Sequence, residues 1–289
     1  MINSDAVRAR AARHRSLALR VAEAHVAIGD TRLCAFVSGS TVEDLVDERS
    51  DVDMSVVLAG LPALERLQQA CRDAGSAGWE WTVGDAAEGS FVVSFKLDGV
   101  EVQIGYSTHD ALQEHLDELL VRHNPDTPLH KLAEGILKAE PLIDGTTLER
   151  CQQQLQAFPE PLRRAMVEHA LKTPLPWRAI SQIIHRDTVL WCRDLQVDAC
   201  YRLLLALCGL NRRYHTRFQV KRVHKLAAGL TMAPPRLADR LDALLQAPPR
   251  EAFDALHALE GEVLALVAAG LPDIDLALQH QRRALYVPG

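Results

Sequence analysis

The sequence predicts an α+β chain in two parts, a small α/β domain followed by an all-helical one. Three observations carry this. A compact apolar run over residues 33–37 stops at Ser38-Gly39-Ser40, as a buried strand stops at a turn. Two apolar runs over 91–106 flank Asp98-Gly99, a dipeptide suited to a tight primed hairpin turn. After about residue 107 strand-like alternation gives way to helical periodicity broken by Pro and Gly.

In chain order, the alanine- and arginine-rich stretch 6–27, with Leu17, Val21 and Val26 as apolar positions, predicts an opening helix. Residues 33–37 and 52–58 are strands, 61–74 a helix, and 91–106 the hairpin. Helices are then predicted over 110–121, 147–156, 160–171, 177–208, 218–229, 236–246 and 251–269. The expected domains are 1–110 and 111–289, although 112–138 fits either half.

Composition narrows the function classes. With 48% hydrophobic and 24% charged residues the chain has material for a real core. A formal net charge of -6 argues against life on bulk nucleic acid while leaving room for a local basic groove. The six cysteines, Cys34, Cys71, Cys151, Cys192, Cys200 and Cys208, form no Cys-x-x-Cys pair and read as buried apolar residues in a reducing compartment. Residues 1–20 hold no apolar run of signal-peptide length, and 263–271 is too short to span a bilayer. A cytoplasmic protein with no membrane partner is expected.

The chemistry concentrates between Phe36 and Leu58. Gly39 ends a strand where the backbone turns sharply and approaches something closely. Ser40 followed by Glu43 has capping-box spacing, which predicts a helix start whose free N–H groups cradle phosphate, with the Ser40 hydroxyl adding a contact. Asp51 and Asp53, two apart on a strand, project to one face. Adjacent carboxylates on an apolar strand are costly unless cations neutralise them, and magnesium binds through such carboxylates plus substrate phosphates. In the hairpin, Val100, Val102, Ile104 and Tyr106 share one face and Glu101 and Gln103 the other, with Lys96 directly across from Glu101. Three carboxylates near a phosphate cradle suit two-metal phosphoryl transfer.

Gly39-Ser40, ten residues, Asp51-Val52-Asp53 and a later Val100-Glu101-Val102 together resemble the nucleotidyltransferase superfamily, which includes DNA polymerase beta-type enzymes and antibiotic adenylyltransferases. The resemblance covers about the first hundred residues and implies a nucleotidyltransferase-like α/β domain with a mixed sheet. It implies that Gly39 and Ser40 hold a triphosphate, that Asp51 and Asp53 ligate two Mg2+ ions, and that Glu101 ligates the catalytic ion and helps an acceptor hydroxyl lose its proton. Many members carry Asp at the third position. Asn211-Arg212-Arg213-Tyr214-His215 followed by Lys221 resembles the helical domains of small-molecule nucleotidyltransferases, where a basic residue reaches the triphosphate; Lys221 is the expected phosphate contact.

The implied reaction moves a nucleoside monophosphate from an NTP, ATP first, to a hydroxyl of a small molecule such as an aminoglycoside, releasing pyrophosphate. Glu168, Asp187 and Asp194 are candidate general bases in the helical half. Alternatives are a toxin-like transferase acting on tRNA or protein, and a non-catalytic nucleotide-binding, antitoxin-like module. Bland readings stand beside these. The acids can belong to a solvated turn, and Glu101 can simply pair with Lys96. The basic run Arg212, Arg213, Arg217, Lys221, Arg222 and Lys225 can be a solvated helix face with Tyr214 and Phe218 packed inward. Trp177 and Trp191 can be core or can stack a base, and Arg164/His169 and Arg178/His185 match loose ribonuclease spacings that arise readily by chance.

Overall fold

The computed structural model describes residues 4–43, 45–218 and 220–288. The chain forms two compact units, Met1–Val121 with Leu132–Ala157, and Arg122–Lys131 with Phe158–Gly289. The first unit therefore runs well past the boundary at residue 110 that the change in periodicity suggested.

The first unit comprises α1 (Ser4–Val26), β1 (Cys34–Ser38), β2 (Val52–Leu58), α2 (Leu64–Asp73), β3 (Trp81–Asp85), β4 (Ser90–Leu97), β5 (Val100–Thr108), α3 (His109–Leu120), most of α4 (Leu129–Lys138), β6 (Glu140–Ile143) and α5 (Gly145–Gln156). The six strands make one mixed sheet in the order β3-β4-β5-β2-β1-β6, in which β2 and β5 run parallel and every other pair is antiparallel. The expected mixed sheet is thus present, and the expected hairpin turn too: Asp98 and Gly99 have φ of 51° and 79°, the left-handed pair a primed turn needs.

Two strands escape sequence reading for identifiable reasons. Every residue of β3 is exposed, so this edge strand has no alternation to detect. β6 carries Pro141, which is tolerated because β6 is also an edge.

One sheet face is apolar. Val52, Met54, Val56, Phe91, Val93, Phe95, Val102, Ile104 and Tyr106 pack with Leu17, Ala18, Val21 and Ala22 of α1 and Leu67 and Cys71 of α2. A run of hydrogen bonds crosses this layer. The His25 Nδ1 lies 2.7 Å from the Val21 carbonyl, which can only accept, so that nitrogen carries the proton. Burial lowers the His25 pKa and keeps the ring neutral, so Nε2 accepts from the Tyr106 hydroxyl at 2.7 Å. Tyr106 in turn accepts from the Cys71 thiol at 3.4 Å, and the thiol sulfur accepts from Trp79 Nε1 at 3.4 Å. α1 is tied to the hairpin by Arg13 and Arg20, which donate to the Asp98 carbonyl and carboxylate, and to β6 by a two-pronged Arg15–Glu140 pair.

The second unit is helical: α6 (Glu160–Leu171), α7 (Trp177–Ile183), α8 (Val189–Leu210), α9 (Val223–Ala228), α10 (Leu237–Gln246), α11 (Pro249–Gly270) and α12 (Ala277–Arg283). Gly209 lets α8 lie close on α6, since a Cβ there would meet Val167 Cγ2 at 3.0 Å. Trp177 is fully buried against Phe253, His257 and Tyr286, with its N–H on Glu260 at 3.0 Å. The helix expected over 177–208 is broken at 184–188, where the Arg186 N–H turns back to the Ile183 carbonyl and Thr188 Oγ1 donates to that carbonyl as well. No Gly or Pro marks this break, so periodicity ran through it. The helix expected over 218–229 shrinks to α9, and Phe218 is more than half exposed while Tyr214 is buried. Among the described residues no helix is long and apolar enough to cross a membrane.

Because the folded-state pKa of His25 lies below its ordinary value of 6.5, the unfolded chain binds more protons there. The stability this contributes is present above 6.5 and is lost as pH falls from 6.5 toward the folded value. Urea unfolding across this range should show stability declining with pH. Tyr106→Phe, which strands His25 Nε2, should cost about 1–3 kcal/mol at neutral pH.

Candidate active site

The second face of the sheet is polar where β2, β5 and β4 adjoin. Strand alternation that sends Val52, Met54 and Val56 into the core turns Asp53 and Ser55 the other way, with Asp51 just before the strand. In the parallel pairing Asp53 lies opposite Gln103, and in the antiparallel one Gln103 lies opposite Ser94 and Glu101 opposite Lys96. Asp51, Asp53, Glu101, Gln103 and Ser94 therefore share one polar face.

Side chains knit this face together. Gln103 Nε2 donates to Asp51 Oδ2 at 2.7 Å and to Glu101 Oε1 at 3.2 Å. Ser94, fully buried, donates its hydroxyl to the same Glu101 oxygen at 2.7 Å. Glu101 thus turns toward Ser94 and Gln103 rather than toward Lys96, whose ammonium lies 3.7 Å from Glu80. The lysine is across from Glu101 in register, as the two-residue turn requires, but is not its ion-pair partner.

Gly39 explains itself. Its φ of 66° is left-handed, and a Cβ built there would lie 2.2 Å from Asp53 Oδ2. The turn after β1 rests directly on the Asp53 carboxylate, which only glycine permits. The helix expected from the Ser40–Glu43 spacing is absent: Gly39–Thr41 is a single 3-10 turn, Ser38 occupies its cap position with no side-chain cap bond, and the Leu45 N–H closes onto the Ser40 carbonyl. β-branched Thr41 and Val42 disfavour helix here. Glu43 instead bonds Lys138 of α4 at 3.0 Å. The Ser40 and Thr41 hydroxyls are buried without a protein partner.

The Asp47–Ser50 turn before Asp51 is closed by the Asp47 carboxylate and the Ser50 hydroxyl. His14 of α1, buried, lies near Asp51; burial and then Arg13 hold its pKa below 6.5, against the opposing pull of Asp51. Sequence reading missed His14, although Ala11, His14, Leu17, Ala18, Val21, Ala22 and His25 form one buried stripe at helical spacing. It named Gln103 without a role, and it passed over Ser94.

Asp51, Asp53 and Glu101 could hold a hard divalent cation, since all offer carboxylate oxygens and one nitrogen already touches two of them. Among the described residues no three His, Cys, Asp or Glu side chains are already gathered into a metal-holding cluster.

The remaining predicted residues lie in the second unit. Lys221 is exposed in the non-helical stretch before α9. In the basic run, Arg212 pairs with Glu160 at 2.9 Å, and Arg217 pairs with Asp198 at 3.2 Å while lying over the Tyr201 ring. Glu168 is engaged by Arg164 at 2.8 Å, while Asp187 and Asp194 are exposed. His169 faces Asp126 and His185 faces Arg250, so neither ribonuclease-like spacing brings its Arg and His together as a pair.

No protein-family model and no curated protein matches this chain. Among solved structures, it is similar to the crystal structure of a nucleotidyltransferase-like protein from Exiguobacterium sibiricum 255-15, with a TM-score of 0.44 and 13% identity over 85% of this chain and 73% of that one.

Gly39→Ala should destabilise the protein by more than the roughly 1–2 kcal/mol that a left-handed backbone costs a non-glycine residue. Its cost should shrink in an Asp53→Ala background, where the crowded carboxylate is gone. Urea unfolding of the four members of this cycle measures that coupling. Additive costs would mean that the carboxylate is not what Gly39 accommodates.

Proposed function

We propose that the chain is a metal-dependent nucleotidyltransferase that moves a nucleoside monophosphate from an NTP to a hydroxyl of a small-molecule acceptor and releases pyrophosphate. The observation that carries this reading is the polar sheet face on which Asp51, Asp53 and Glu101 share one side, with the Gly39 turn pressed against Asp53. A structural sheet has no use for three acids on one side, because like charges that close destabilise the fold.

In this reading Asp51 and Asp53 hold Mg2+, two ions in the full complex, and Glu101 takes a share of the second. Bound magnesium would screen the triphosphate charge and draw the attacking and leaving oxygens into line. The chain's own residues do the rest. The backbone of Gly39 and Ser40 lines the phosphates, and the unpartnered Ser40 hydroxyl supplies a donor. Glu101 accepts the proton from the acceptor hydroxyl as its oxygen attacks the α-phosphorus. Ser94 orients that carboxylate. Lys221 is a proposed phosphate contact, and ATP the proposed donor. Ion-pairing of Arg212 and Arg217 leaves less free cationic surface for RNA, which favours a small acceptor over tRNA.

Calorimetry with each of the four NTPs and magnesium, on wild type and on Asp51→Ala/Asp53→Ala, tests the nucleotide half. Binding of one NTP should require both the metal and the acids. Pyrophosphate release in the presence of an acceptor should fall by about 100-fold or more in the double variant, on the scale of losing a main electrostatic contributor to a transition state. Chelation of the metal should abolish it. Nucleotide binding indifferent to the two acids would sink the assignment.

A further inference from the structure

We propose that the Gln103 side-chain amide is a stand-in for a cation: it bridges Asp51 and Glu101 when no metal is there, and must swing away before a divalent ion takes both carboxylates. The inference rests on the nucleotidyl-transfer reading of this face, and it adds a control over when metal enters.

A primary amide has two N–H bonds, and Gln103 places its nitrogen 2.7 Å from one carboxylate and 3.2 Å from the other. That nitrogen occupies the point between two anions where a cation would sit. Its partial charge eases their repulsion only in part, whereas an ion would neutralise it. The Glu101 oxygen that takes this bond is the one that Ser94 also donates to, so it is doubly committed. Side-chain direction makes the arrangement an outcome of strand pairing rather than of chance contact. Gln103 is two residues from Glu101 on one strand and opposite Asp53 on the next, so it cannot leave the face, only rotate on it.

The consequence is selective. A free ion entering here must displace two hydrogen bonds to charged groups. An ion arriving on a triphosphate brings most of its ligands with it and needs fewer from the protein. Gln103 therefore weakens binding of free metal and couples metal entry to nucleotide.

The test is titration with Mn2+ alone, without nucleotide, following free Mn2+ by electron paramagnetic resonance. The proteins are wild type, Gln103→Ala, Gln103→Ser as a second truncation, and Gln103→Ala/Asp51→Asn, each checked for folding by circular dichroism. Both single variants should bind Mn2+ about tenfold more tightly than wild type, the worth of one charge-assisted hydrogen bond. The gain should disappear with Asp51→Asn. Equal or weaker binding in the folded single variants, or a gain that survives Asp51→Asn, would overturn the inference. The two readings fail separately. A wild-type protein inert toward every NTP sinks the transfer reading whatever Mn2+ does, and an active enzyme whose Gln103 variants bind Mn2+ no better sinks only this one.

Discussion

The parallel pairing of β2 with β5 is the constraint on which the rest of the first unit depends. Its register sets Val52 beside Val102 and Asp53 beside Gln103. Because side chains alternate, a slip of one residue would drive carboxylates into the apolar layer and turn Val52, Met54 and Val56 outward. The layer formed with α1 and α2 penalises that slip heavily, so hydrophobic packing on one side fixes the geometry of charge on the other. β4 follows through the tight hairpin, which brings Ser94 to Gln103. β1 follows through antiparallel pairing, which brings Ser38 to Asp53 and the Gly39 turn onto its carboxylate.

The polar face contrasts with the polar groups under α1. There, Trp79, Cys71, Tyr106 and His25 hand each donor to an acceptor in one direction, ending on a backbone carbonyl, and no charge is needed. On the open face Asp51 and Glu101 are bridged by one neutral amide, and in the turn after β1 the buried Ser40 and Thr41 hydroxyls have no protein partner.

What could be read from sequence was whatever depends on short-range periodicity. β2 over Val52–Leu58 and α6 over Glu160–Leu171 have the bounds that alternation and helical spacing suggest, and Asp98-Gly99 makes its turn. The acids were legible for the same reason, since period two alone places Asp51 with Asp53 and Glu101 with Gln103. Features that depend on tertiary context were hidden. β3 has no buried side to alternate against, β6 contains a proline that only an edge tolerates, and the break before α8 follows from a Thr188–Ile183 contact with no breaker residue. The cap spacing at Ser40 misled because β-branched Thr41 and Val42 follow it and the chain closes into a single 3-10 turn. Gln103's bridge required knowing that two strands distant in sequence run side by side, and His14 required knowing which stripe of α1 faces inward.

The cysteines carry a last consequence. All six are buried thiols rather than disulfides, three in each compact unit: Cys34, Cys71 and Cys151 in the first, Cys192, Cys200 and Cys208 in the second. Burial pushes the Cys34 and Cys200 thiols up to about 12 and raises those of Cys71 and Cys151, so little reactive thiolate forms at these four. A thiol reagent then reacts only with what has opened. The protein carries a separate built-in clock in each half, and the order in which the two sets of sulfurs become modified records which half lets go first.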